Sequence, residues 1–169
     1  MHRFILSFVV LFGLCGVIGW SNSKPSERPR VVFFYTSHSP YPEFVFRLSG
    51  FPLALASLIK FGPHQFSMTH ATWKNVKKAM QDAEFVVIGS HGYNGGILTD
   101  EGGLLEPLHI EKNVEMKHVY FGSCYFGKRR LEWQQRFPNA KILGYDDLTY
   151  PAVGWRYLVF NSWWDLLDM

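Results

Sequence analysis

Charge is what this 169-residue chain has little of: charged residues make up 18%, and 17 basic against 14 acidic side chains leave a net +3. So small and scattered an excess offers no basic surface for nucleic acid. Low charge beside 47% hydrophobic residues also excludes a disordered or low-complexity chain. Cysteine is almost absent, with Cys15 and Cys124 alone, so the fold is not built on disulfides; a domain of this size buries enough surface to do without them. The glycine-rich run 92–103 lacks G-x-G-x-x-G and the P-loop Lys-Ser/Thr, which removes nucleotide binding. A G-x-S-x-G elbow is missing as well, which removes the α/β-hydrolase arrangement. His64 and His70 stand six apart with no Cys/His cluster near them, so neither a metal nor any other cofactor is expected. With no internal repeat and no long linker, the length fits one domain.

Rings are abundant instead, with 15 Phe, 8 Tyr and 6 Trp, which suits a dense core in a small domain. The N-terminal stretch has its own character. Met1, His2 and Arg3 make a short basic start, Phe4 to Trp20 is an apolar run of 17 residues broken only by Ser7, and Ser21 and Ser23 fit a small-x-small cleavage rule. Residues 1–23 are therefore expected to be a secretory signal cut after Ser23, followed by a linker at 24–30 and one domain at 31–169. The run also reaches the lower limit for a spanning helix, so an uncleaved anchor through residues 4–20 is the rival reading. On either reading the domain is exported, to a periplasm or the extracellular space. Removing residues 1–23 leaves Cys124 as the remaining cysteine. An unpaired thiol in an exported protein is a candidate nucleophile, and a buried small hydrophobe is the competing reading.

Beyond Arg30 strands and helices alternate. Val31 to Tyr35 is a continuous β-prone run, followed by an irregular loop from Thr36 to Pro42. Helical spacing is read over Phe51 to Phe61, a strand over Gln65 to Thr69, and a helix capped by Thr72 that carries Val76, Ala79 and Met80. Phe85 to Ile88 is a buried strand, and Gly95–Leu98 with Gly103–Leu105 suggests a small hairpin. A strand at His118 to Phe121, a helix at Arg129 to Arg136, a strand at Lys141 to Tyr145 and a closing helix at Trp155 to Leu167 complete the order. Helices between buried strands imply right-handed crossovers and a mostly parallel sheet with helices on both faces. The expected fold class is α/β, a three-layer α/β/α sandwich.

Two of these strands run into residues with chemistry. Phe85-Val86-Val87-Ile88-Gly89-Ser90 leads into His91-Gly92, and His118-Val119-Tyr120-Phe121-Gly122-Ser123 leads into Cys124, with Gly127 three residues on. Ligands of open parallel sheets bind beyond the carboxyl ends of the strands. A thiol and an imidazole leaving neighbouring strands there have the makings of a nucleophile and its base. Gly92 permits close approach of a substrate carbonyl, and its N–H with that of Cys124 suits an oxyanion.

A buried strand ending in His-Gly, then a buried strand ending in Cys-x-x-Gly, resembles the signature of the caspase-like cysteine peptidases, the group of caspases, metacaspases, legumains, gingipains, separases and bacterial CHAT domains. The chain looks closest to a minimal CHAT-like or gingipain-like domain. The resemblance implies that Cys124 attacks a scissile carbonyl of a peptide or protein substrate. It further implies that His91 handles the proton given to the leaving amine, and that Gly92 and Cys124 supply the oxyanion amides. A catalytically silent protein-interaction module and a cysteine amidase or acyltransferase are the alternatives. The Tyr35 to Pro42 loop carries no arginine or lysine for an acidic substrate side chain, and Arg129 and Arg130 are expected to enter a helix that points away. Asp146 and Asp147, with Asp100 and Glu101 on the hairpin, are read as a pocket for lysine or arginine, against a solvated turn.

Overall fold

The protein's structure, a computed structural model, describes residues 2–37, 43–146 and 161–169, with side chains from Gly13 onward in the first stretch and from Ser49 onward in the second. An N-terminal helix α1 (His2–Ser23) precedes strand β1 (Val31–Tyr35), helix α2 (Glu43–Phe61), strand β2 (Phe66–His70), helix α3 (Trp73–Asp82) and strand β3 (Phe85–Gly89). Three short strands follow: β4 (Gly92–Tyr93), β5 (Gly96–Leu98) and β6 (Leu104–Leu105). Then come β7 (His118–Phe121), a 3₁₀ turn at Phe126–Arg129, helix α4 (Arg130–Arg136), β8 (Lys141–Gly144) and a helix α5 over 161–168.

The five longer strands form one sheet in the order β2-β1-β3-β7-β8, and every pairing in it is parallel. The β-branched and aromatic runs explain why: covered on both faces, β1 and β3 are buried at all five positions. Alternation then divides the core. Val32, Phe34, Val86, Ile88, Val119 and Phe121 face α3, α4 and the β5–β6 hairpin through Met80, Trp133 and Ile97. Val31, Phe33, Phe85, Val87 and Tyr120 face the other way, against Ile18 of α1, Leu53 of α2 and Leu166 of α5. Burying each large apolar side chain contributes about 1.5–3 kcal/mol, so the two aromatic-rich faces hold the sheet between its helices. The chain is thus an α/β protein with a five-stranded parallel sheet and helices on both faces, an arrangement compatible with a three-layer sandwich.

Local chemistry sets the helix limits. The Thr72 side chain accepts the Asn75 N–H and caps α3, as its sequence suggests. The helix expected from Phe51 begins earlier, at Glu43, and runs through Pro52. The expected strand over 65–69 falls one residue later, and the last strand stops at Gly144, one residue before Tyr145. Of the predicted closing helix, residues 155–160 lie outside the described residues and 161–168 are helical.

α1 is docked on the domain at its C-terminal end, through Ile18 and Ser21. Among the described residues no helix is long and apolar enough to cross a membrane.

Candidate active site

What leaves two paired parallel strands is fixed by their register. Ile88 of β3 is the partner of Phe121 of β7, and the Gly122 N–H donates to the Ile88 carbonyl at 2.7 Å. Beyond this pair the two segments leave the sheet side by side, one carrying His91 and Gly92 and the other Ser123 and Cys124. The two backbones then touch. A Cβ placed on Gly92 would stand 2.7 Å from the Ser123 Cβ and 2.9 Å from the Cys124 nitrogen, and nearer still to the Cys124 carbonyl oxygen. The Cβ side of Gly92 is filled by the chain's own Ser123 and Cys124. Cys124 is half-buried and in no disulfide, and His91 is exposed. Ser90 and Ser123, which precede them, are buried; the Ser90 hydroxyl donates to the Leu98 carbonyl, and among the described residues the Ser123 hydroxyl has no hydrogen-bond partner.

The segments after the two residues are clamped together. Gly92–Tyr93 pairs with β5 across a two-residue turn, Asn94-Gly95, with φ of 49° and 82°, the left-handed pair that a tight hairpin requires. The Gly95 carbonyl accepts the buried Trp133 Nε1–H of α4 at 2.8 Å, and a Cβ on Gly95 would meet Arg129. Arg129 in turn pairs with Glu106 at 2.7 Å. Directly after Cys124, Tyr125 adopts a left-handed backbone (φ 59°), which turns the chain so that Phe126 stacks on Phe121 with centroids 4.3 Å apart. Gly127 is needed at its place because the Asp146 carboxylate lies where a Cβ would go.

Asp146 does stand at the same edge of the sheet, but Arg130 holds its carboxylate at 2.9 Å. Arg130, expected to point away, instead reaches back from the first turn of α4. Asp147 lies outside the described residues.

Asp100 has a place that sequence reasoning missed. Its Oδ1 accepts the Thr36 hydroxyl at 2.8 Å and the Ser37 N–H at 3.0 Å, and its Oδ2 lies 2.9 Å from His70 Nδ1. Burial pushes the Asp100 carboxyl up, yet these hydrogen bonds and the His70 charge outweigh it and hold the group below the ordinary carboxylate range. Glu101 next to it accepts the Trp73 N–H at the start of α3 at 3.0 Å. The hairpin tip therefore ties down the chain leaving β1 and β2. Strand order reverses direction between β1 and β3, the switch point where open sheets bind ligands, and His91 leaves β3 on that crevice. The contacts of Asp100 span 30 and 64 residues of sequence, and no local pattern announces them.

Among the described residues no three His, Cys, Asp or Glu side chains gather as metal ligands. Comparison with protein-family models, with curated proteins and with solved structures found no match.

Proposed function

We propose that the chain is an exported cysteine peptidase of the caspase-like kind, acting on peptide or protein substrates through His91 and Cys124. One observation supports this reading: β3 and β7 pair in parallel up to Ile88 and Phe121, and the segments that leave them at the carboxyl edge, carrying His91 and Cys124, are in contact at Gly92. The strand order and the helices on both faces agree with such a fold.

In the proposed reaction the Cys124 thiolate bonds to the scissile carbonyl carbon, and the charge moves onto the carbonyl oxygen. The N–H groups of Gly92 and Cys124 receive that oxyanion; a donor of this kind typically contributes about 10²–10³ in rate. Collapse breaks the C–N bond while His91 passes its proton to the departing amine, a general-acid step worth about 10²–10⁴. Water, deprotonated by His91, then attacks the thioester and releases the acid and the free thiol.

For the side-chain pocket we propose that a lysine or arginine of the substrate reaches Asp146 by displacing Arg130. Arg130→Ala then strengthens a basic preference.

A fluorogenic tetrapeptide library tests the reading. Hydrolysis is expected from the parent protein and not from Cys124→Ala or His91→Ala. Equal hydrolysis by all three overturns it, and cleavage preferring aspartate overturns the pocket alone.

A further inference from the structure

The last turn and a half of α1 is built into the domain. Ile18 is 4% exposed and shares a core with Val31, Phe33, Leu53 and Leu166. Ser21 is 2% exposed and serves His64 twice: the His64 N–H donates to Ser21 Oγ at 3.2 Å, and His64 Nδ1 lies 3.0 Å from the Ser21 carbonyl oxygen. The Trp20 ring meets the His64 ring edge-on with centroids 5.1 Å apart, and the His64 carbonyl accepts the Ser26 N–H at 2.8 Å. His64 needs this support. Its φ of 68° is left-handed, a conformation that side chains other than glycine rarely hold unaided. It also sits in the turn that feeds β2, so residues 18–26 fix the entry to an edge strand of the sheet.

Ahead of Ile18 the helix changes character. Leu14 and Val17 are exposed, as is Trp20 beside them, and no charged residue occurs from Phe4 to Val17. That stretch is roughly 21 Å of helix, deeper than one leaflet of a hydrocarbon core about 30 Å thick and short of crossing it. Trp20 follows one turn beyond its end, a residue type that suits the membrane–water boundary.

We propose that α1 is not removed: Ile18–Ser23 remain part of the folded domain, and lipid covers the apolar stretch ahead of them. The domain is then held at a membrane surface by its N-terminal helix. Ser21 contacts His64 at the edge where the strands begin, opposite the edge that carries His91 and Cys124, so the tether leaves that edge unobstructed. None of this rests on the peptidase reading.

The test is the fate of the full-length chain made in an exporting host. The expected product sediments with membranes, resists a high-pH carbonate wash, is released by detergent and has a mass that includes α1. A soluble product beginning at Lys24 overturns the proposal, and so does a soluble full-length oligomer, which would mean that a second copy covers α1. Hydrogen exchange on the detergent-released protein reads the docking itself. Ser21→Ala is expected to speed exchange of the His64 amide about fivefold to tenfold with the β3 amides unchanged. An unchanged His64 amide overturns the docking.

Discussion

Replacing Gly92 by alanine adds one methyl group at the point where the two motif strands meet. Gly92 is not among the left-handed glycines, so the change tests contact and not backbone conformation. The new Cβ would lie 2.7 Å from the Ser123 Cβ and 2.9 Å from the Cys124 nitrogen. Ordinary carbon–carbon contact is about 3.5–4.0 Å, so the β3 and β7 exits must part by roughly 1 Å. Neither neighbour is the far end of a flexible side chain; one is a backbone atom and the other a Cβ. Overpacking of this kind costs about 1–3 kcal/mol, and stretching the Gly122–Ile88 hydrogen bond adds about 1 kcal/mol. Alanine recovers about 0.4–1 kcal/mol by stiffening the unfolded chain. A net loss of about 1–3.5 kcal/mol is expected, a fall in Tm of roughly 2–14 °C. Urea denaturation of Gly92→Ala beside the parent protein measures it. Because a misplacement of about 1 Å can cost about 10²-fold in rate, reaction of Cys124 should slow as well. A variant within about 0.5 kcal/mol of the parent, reacting at the parent rate, would refute the close approach of the two strands.

Two further expectations concern charge. Asp100→Asn removes the charged acceptor shared by Thr36, Ser37 and His70 and should cost about 1–3 kcal/mol at neutral pH. The lowered Asp100 pKa gives stability that is present above about pH 4 and lost as pH falls through the folded value, so the variant's urea midpoint should fall less steeply in acid than the parent's; an identical acid slope would contradict this. His118 is a lowered histidine: burial first, and Lys141 after it, outweigh the opposing pull of Asp165. The fold favours the neutral ring, so stability is complete above the ordinary value of 6.5 and drains away as pH falls below it. His118→Phe keeps the ring beside Phe85 and Tyr120 without the titration and should flatten stability between about pH 7 and 5, and an unaltered slope would count against it.

Strands were legible wherever a run of β-branched and aromatic residues met water on neither face, as in Val31–Tyr35 and Phe85–Gly89, because burial on both sides leaves no polar position to confuse the pattern. The Thr72 cap was legible because capping is local. The start of α2 was not: helical spacing is readable only from Phe51, yet the helix begins at Glu43 and runs through Gly50 and Pro52. The Asn94-Gly95 turn was overlooked although its dipeptide is a strong hairpin signal; the β5–β6 pairing seen in its place is real, but it is the second half of a three-stranded meander. At the site, His91 and Cys124 stood out one strand at a time; the pairing of β3 with β7 brings the segments that carry them side by side. The role of Gly92 as a contact with Cys124, the Arg130–Asp146 pair and the Asp100 cluster join residues far apart in the chain, and composition and spacing carry no trace of such pairs. The docking of Ile18 and Ser21 was hidden for a different reason: the apolar run around them reads equally well as a segment to be cut away.

The most direct measurement is the rate at which a thiol-directed acyloxymethyl ketone labels the purified protein, followed by intact mass. Attack needs a thiolate, and an imidazole within reach of the thiol both promotes that state and protonates the leaving group. One adduct on Cys124 is expected, none in Cys124→Ala, and labelling slowed about 10²-fold or more in His91→Ala with its unfolding midpoint unchanged. Labelling of His91→Ala at the parent rate would show that the imidazole does not serve the thiol, and the reading of the two strand ends as one site would fall.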